Sequence, residues 1–359
     1  MVGPRTFSTG TILYGADGDF KAVINSIDDA RSHMRRMKAI GAFSVKSYNQ
    51  PRRDQRQQVI KAARELDMLV MPEGGSTFTH NMSMILDGHT GIEHSIPIAP
   101  LYKDILTIWE NSRTAYTPTF VVSYGGITGE YYWYQHTNVW EHKRLLNFVP
   151  RSMVDARSRR RLKMPENDFH HIEIAKTAKE LVNRGVNVHI GSHGQLQGLA
   201  AHWEIWMMEQ GGMTPLEALR GATLHGASYL GMQDFIGSLE SGKLADLVVL
   251  DKNPLENIRN TDSISHVMVN GRLYDAETMH EIGNHPKKRG AFYWEKGKGG
   301  EVQILEGDDL GFAKATCSCS TNVGGGPDGC PSCVMANTPN ESQSDSCVSS
   351  GTCPLVAIA

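Results

Sequence analysis

The hydrophobic pattern of the first 236 residues alternates between two periods. Short apolar or β-branched runs read as strands at 5–8, 42–45, 68–71, 91–94, 118–123 and 186–191. Between them, apolar residues recur at helical spacing. Residues 51–66 open on a proline suited to a first helical turn and place Val59, Ala63 and Leu66 on one face. Residues 168–184 repeat Ile172, Ala175, Ala178, Leu181 and Val182, then stop at Gly185. Thr214-Pro215-Leu216-Glu217 has the form of a capping box. Such alternation predicts parallel βαβ units. Six strands followed by a helical stretch at 198–231 predict a (β/α)8 TIM-type barrel rather than an open sheet. A complete barrel takes roughly 250 residues, whereas this pattern ends near residue 234. Counting strands back from its end leaves the first two unaccounted for, so the barrel is expected to lack its first strands.

After residue 236 the pattern changes. GSLESGKLADLVVLDKNPL and HVMVNGRLYD read as two or three strands with tight turns at Gly242, Asn253-Pro254 and Asn270-Gly271. Asn-Gly between VMV and RLY is a strong hairpin signal. The expected organisation is a barrel over 1–236, short strands over 237–283, a linker over 284–316 and a tail over 317–359. All six cysteines (Cys317, Cys319, Cys330, Cys333, Cys347 and Cys353) fall in that tail. A C-x2-C pair is a zinc-knuckle element, but no histidine accompanies it. Gly/Pro/Ser/Asn richness favours disorder over a metal or disulfide clip.

Charge narrows the function classes. Lys and Arg total 36 against 39 Asp and Glu, a net charge of −3, which argues against a general nucleic-acid binder. The one dense basic run, 157–163, reads as a solvated loop. No stretch of eighteen apolar residues offers a membrane span, and the N-terminus has no apolar core of a signal peptide. The cytoplasm is the default expectation.

In a barrel, chemistry sits on the loops after the strands' C-terminal ends. Four residues occupy such positions: Lys46 after AFSV, Glu73 after MLVMP, His94 ending GIEH, and His193 after VHIGS. Each alone has a bland reading as a solvated or capping side chain. Together they suggest a metal site, because imidazole nitrogen and carboxylate oxygen suit zinc-like divalent ions. His80 and His89 read as structural. The connection of about sixty residues after residue 123 carries Tyr124, Tyr131, Tyr132, Trp133, Tyr134, His136 and Trp140. It is either an aromatic lid over a substrate or a loop packing its rings on the barrel.

Residues 214–258 (TPLEALRGATLHGASYLGMQDFIGSLESGKLADLVVLDKNPLENI) resemble the C-terminal signature of the amidohydrolase superfamily. There the last barrel helix runs into strands that complete a small β-sandwich. Gly3-Pro4-Arg5 resembles the third barrel strand of the imidazolonepropionase- and prolidase-like branch. SVKSY at 44–48 looks like the fourth strand, whose lysine is often carboxylated to bridge two metals. GIEHS at 91–95 looks like the sixth, whose histidine is a ligand. The stretch 3–294 as a whole resembles the amidohydrolase portion of large bacterial proteins with a propeller-like segment upstream. Three features depart from the superfamily pattern. The first-strand His-x-His pair has no counterpart, Glu73 stands where a fifth-strand histidine is usual, and His193 stands in place of the eighth-strand aspartate.

The resemblance implies hydrolysis of a small-molecule amide, dipeptide or cyclic amide C–N bond by a metal-activated water. Lys46, if carboxylated, would be an anionic ligand beside Glu73, His94 and His193. His193 would ligate or accept the water's proton, and Tyr124 would contact substrate. At most about one ion per chain is expected, and this chain alone is expected to hydrolyse feebly. Unpaired strand edges point to self-association into a homo-oligomer. The rival expectation is an impaired fragment or accessory subunit that keeps the barrel without a complete metal site.

Overall fold

The computed structural model describes residues 4–15, 21–48, 50–159 and 161–296. Described residues up to Arg289 belong to one compact unit, and those from 290 to a second. The cysteine tail lies outside the described residues.

A parallel sheet forms the centre of the first unit. Its strands are β1 (Ile12–Tyr14), β2 (Lys21–Val23), β3 (Ser44–Tyr48), β4 (Leu69–Glu73), β5 (Gly91–Glu93) and β6 (Ala115–Thr117). They lie in the order β2-β1-β3-β4-β5-β6. Val188 adds a parallel bridge to Tyr116 beyond β6, so residues 187–189 continue the sheet by one short segment. Helices alternate with these strands: α1 (Ile27–Ala39), α2 (Arg53–Arg64), α3 (Phe78–Asp87) and α4 (Lys103–Glu110). After β6 come α5 (Gly129–His136), α6 (Lys143–Phe148), α7 (Arg151–Ser158) and α8 (His171–Asn183). Then follow α9 (Leu199–Gln210), α10 (Pro215–Ala222) and α11 (Leu224–Tyr229). This is an α/β fold whose parallel sheet fits a TIM-like barrel.

Local chemistry explains the boundaries. Ser26 and Asp29 form a reciprocal cap on α1, which buries Ala30, His33, Met34 and Met37 at helical spacing. Thr214 and Glu217 form the expected capping box on α10, with Pro215 in the first turn. Gly88 closes α3 in left-handed backbone at φ 87°.

Three expected strands differ. Residues 5–8 are not a strand. Arg5 instead forms an ion pair with Asp246, and Phe7 packs edge-on against Phe43. The first strand is the short run β1 instead. Near 118–123 the strand ends early at Thr117, because Pro118 has no amide to donate and Thr119 turns left-handed at φ 52°. Phe120–Val122 is then a 3-10 turn. Residues 186–191 keep only the single bridge through Val188.

A second, antiparallel sheet follows, built from β7 (Leu247–Leu250), β8 (Ile264–Val269), β9 (Arg272–Asp275) and β10 (Glu281–Ile282) in the order β10-β9-β8-β7. Asn270 and Gly271 adopt positive φ (51° and 76°) in the β8–β9 hairpin, as the Asn-Gly pair predicts.

The aromatics of the long connection mostly serve packing. Trp133 is fully buried and Tyr134 nearly so, while Tyr131, Tyr132 and Trp140 pack against the same core. Trp133 meets Trp203 and Trp206 of α9 at centroid distances of 6.4 and 5.1 Å. Arg157 from the basic run pairs with buried Glu130.

Candidate functional site

Strand register assembles the site. Tyr48 pairs with Glu73, Glu73 with Glu93, and Glu93 with Thr117, so four strand ends line up across the C-terminal edge of the sheet. Lys46 lies two residues before Tyr48 and therefore on the same face. Its Nζ stands 2.8 Å from Glu73 Oε2, with both side chains largely removed from solvent (15% and 12% exposed). Leaving either charge alone there would carry a large desolvation cost.

His94 follows β5 in left-handed backbone (φ 69°), as does His193 after the 187–189 segment (φ 51°). Neither is glycine, and strained backbone of this kind concentrates at functional sites. The two rings stand 5.0 Å apart, and His94 Nε2 lies 3.8 Å from Glu73 Oε1. Burial, reinforced by His193 and Lys46, pushes the His94 imidazole down to about 3, so it is neutral at physiological pH. Its Nδ1 is buried and has no hydrogen-bond partner among the described residues. His193 Nδ1 lies 3.1 Å from Gln195 Oε1. Tyr124 covers His94 at 5.3 Å between ring centroids, and its backbone amide donates to Ser95 Oγ at 2.7 Å. Burial, then Glu73 and Tyr48, push the Tyr124 phenol up to about 12, leaving it a hydrogen-bond donor.

The structure thus brings Lys46, Glu73, His94, His193 and Tyr124 together from five separate segments. His80 and His89 stay outside, on α3 and just after it, and His89 Nδ1 is taken up by the Met84 carbonyl.

A buried polar layer missed in the sequence supports these groups. Glu93 is half-buried; desolvation raises its pKa, and the hydroxyls of Tyr229 and Thr117 oppose that rise by donating to it. Thr117 Oγ1 also lies 2.7 Å from His189 Nε2, and the His189 ring stacks on Tyr229 at 4.2 Å. Gly91 is flush with Tyr229, whose hydroxyl would lie 2.6 Å from an added Cβ. The clue to Glu93 was available: it is a carboxylate inside the apolar strand run that ends at His94. Tyr229 comes from a helix far along the chain and left no such sign.

Among the described residues, no three His, Cys, Asp or Glu side chains stand in ready-made metal-ligating geometry. The donor chemistry nevertheless fits a divalent ion. One carboxylate and two imidazoles share a small volume, one imidazole is neutral, and one of its nitrogens is orphaned. Two imidazoles and a carboxylate form a known three-ligand zinc set.

Comparison with known proteins places this chain in a family. The amidohydrolase family pattern matches residues 37–274. The chain is similar to an ochratoxinase of Aspergillus niger, 33% identical over 103 residues, or 28% of this chain and 22% of that protein. It is also similar to an imidazolonepropionase of Erwinia tasmaniensis, 68% identical over 37 residues, or 10% of this chain and 9% of that protein. The chain thus spans well under two thirds of the curated relatives it matches. Among solved structures, an Xaa-Pro dipeptidase with bound methionine aligns at TM-score 0.56 and 24% identity, covering 77% of this chain and 69% of that one. A bottromycin amidohydrolase aligns at 0.53 and 17%, covering 72% and 61%. These two likenesses concern the fold. With the family pattern covering most of the chain, and covering the segments that bear Lys46, Glu73, His94 and His193, the protein belongs to the amidohydrolase family of enzymes.

Proposed function

We propose that this protein hydrolyses a C–N bond of a small-molecule amide, a dipeptide or a cyclic amide, using a water activated at the Lys46–Glu73–His94–His193 cluster. The observation that carries this reading is the convergence of four polar strand-end residues into one largely buried volume. The names of its relatives, an imidazolonepropionase and an Xaa-Pro dipeptidase among them, fit that substrate range.

In this reading Glu73 and His94 would hold a divalent ion such as zinc, with carboxylated Lys46 as a further ligand. When bound, the ion would lower the pKa of a water and polarise the scissile carbonyl. The protein's own groups do the rest. His193 either joins those ligands or accepts the proton of the attacking water. Tyr124 donates to the substrate from above His94, where its raised pKa keeps the proton in place. Glu93, with Tyr229 and Thr117 donating to it, fixes the floor beneath His94. In this reading residues 1–236 form a (β/α) barrel. Residues 237–283 then form part of a small β-sandwich; most of the expected linker over 284–316 and all of the expected tail over 317–359 lie outside the described residues. Self-association through exposed strand edges belongs to the same reading, and nucleic acid has no place in it. No helix among the described residues is long and apolar enough to cross a membrane.

One observation favours a second reading, an impaired or accessory chain: the Lys46 amine already occupies Glu73. The two readings separate in an assay of the purified chain on model amides, hydantoins and dipeptides with added zinc or manganese and bicarbonate. The proposal expects a feeble rate that chelation and His193→Ala both abolish. A rate indifferent to both, or none on any substrate despite bound metal, would favour the second reading.

A further inference from the structure

The turn that carries His193 is built from consecutive left-handed residues, His193 at φ 51° and Gly194 at φ 66°. The Gln195 backbone amide donates back to the Ser192 carbonyl at 3.4 Å and closes it. This brings the Gln195 side chain onto the imidazole, with Oε1 3.1 Å from His193 Nδ1. The other end of the same side-chain amide reaches α5, where Gln195 Nε2 donates to Glu130 Oε1 at 3.3 Å. Glu130 is a buried carboxylate, and Arg157 Nη1 from α7 donates to both of its oxygens, at 3.1 and 2.9 Å. A continuous chain of hydrogen bonds thus runs from the basic stretch at the end of α7 to the His193 ring.

Elementary donor chemistry fixes the direction of this chain. An arginine can only donate, and a carboxylate paired with it can only accept. The end of Gln195 that faces Glu130 must therefore be its NH2 group, because a reversed amide would set oxygen against oxygen. Its own oxygen then faces His193, and that oxygen can only accept. Nδ1 must carry a proton, and in the neutral ring Nε2 keeps its lone pair. In free histidine the neutral ring prefers the opposite form, with the proton on Nε2.

We infer that Arg157, Glu130 and Gln195 are positioning residues that hold His193 in its Nδ1–H tautomer. A lone pair on Nε2 is what His193 needs either to ligate a divalent ion or to take a proton from water, so the inference rests on the proposed site. The three residues act through the imidazole. They also give α5 and α7 of the long connection a task beyond packing.

The chemical shifts of the ring nitrogens distinguish a protonated nitrogen from one with a lone pair. Nitrogen NMR of the metal-free full chain with isotope-labelled histidine therefore reads the tautomer directly. Spectra are taken at about pH 8, above the ordinary imidazole range, and the His193 signals are those missing from His193→Ala. The unsubstituted protein should show Nδ1 protonated and Nε2 bare. Gln195→Leu removes the acceptor and should let the ring revert to the Nε2–H form. Gln195→Lys sets a donor against Nδ1 while still pairing with Glu130, and should force the same reversal. Glu130→Ala frees the Gln195 amide to turn over and should leave both forms populated. An Nε2–H ring in the unsubstituted protein would overturn the inference, as would an Nδ1–H ring that persists in either Gln195 variant. An Nδ1–H ring that persists in Glu130→Ala would overturn the part assigned to Glu130 and Arg157. Zinc takes no part in these spectra, so a chain that failed to bind zinc would sink the metal reading while the tautomer was still decided.

Discussion

Lys46 and Glu73 govern how the site can be charged. At 2.8 Å and nearly buried, they neutralise each other. Carboxylation would take the proton from the Lys46 ammonium, join CO2 to the freed amine and lose a second proton, leaving two anions face to face. Only a cation between them would offset that repulsion in so desolvated a place. Carboxylation and metal uptake are therefore expected to depend on each other. Bicarbonate should tighten zinc binding to the unsubstituted protein, and Lys46→Ala should remove the bicarbonate effect; titrations with and without bicarbonate measure both. Zinc affinity indifferent to bicarbonate would leave Lys46 as the simple ion-pair partner of Glu73.

At the scale of elements, signals carried within a few residues were legible and those set by distant partners were not. The Thr214–Glu217 box forms as written, and Thr214→Ala should cost about 1 kcal/mol. The check is a lowered denaturant midpoint with an unchanged slope. The Asn270-Gly271 hairpin and the strands bearing Lys46, Glu73 and His94 likewise follow from local pattern, since a polar residue ending an apolar run marks the mouth of a parallel sheet. Residues 118–123 were misleading for a long-range reason. Their β-branched run looks like a strand, but the Val121 amide goes to Glu204, eighty-three positions away, and the run becomes a turn. β1 was hidden for the opposite reason: only three residues long and set between glycines, it offers too little alternation to read. Glu204 did leave a trace, as a carboxylate inside the apolar run of α9. Its partner, the Val121 amide, is one that only the fold brings to it.

Among the described residues of the whole molecule, buried histidines outnumber carboxylates whose pKa burial raises. Burial lowers His89, His171 and His202 to about 4 and His189 to about 3. Each stays neutral when folded but takes a proton near pH 6.5 when unfolded. The unfolded chain then binds more protons, and stability falls as pH drops from about 6.5 towards about 4, by up to about 1.4 kcal/mol per pH unit for each histidine. Glu204, raised to about 8, and Glu93, raised by burial, act in the opposite sense. They stabilise fully below the unfolded carboxylate pKa, and that contribution is lost as pH rises through their folded values. With these four histidines, and His33 and His94 lowered in the same way, against two carboxylates, denaturation should come at lower urea at about pH 5 than at about pH 7.5; equal midpoints would mean that these histidines are not buried neutral. The central claim is more direct: the strand-end cluster is a metal site. Zinc uptake by the purified chain measures it. About one ion per chain is expected, lost with His94→Ala and weakened by Glu73→Gln while the fold persists. No uptake, or uptake that survives both substitutions and disappears when Cys330 and Cys333 are changed to serine, would contradict it.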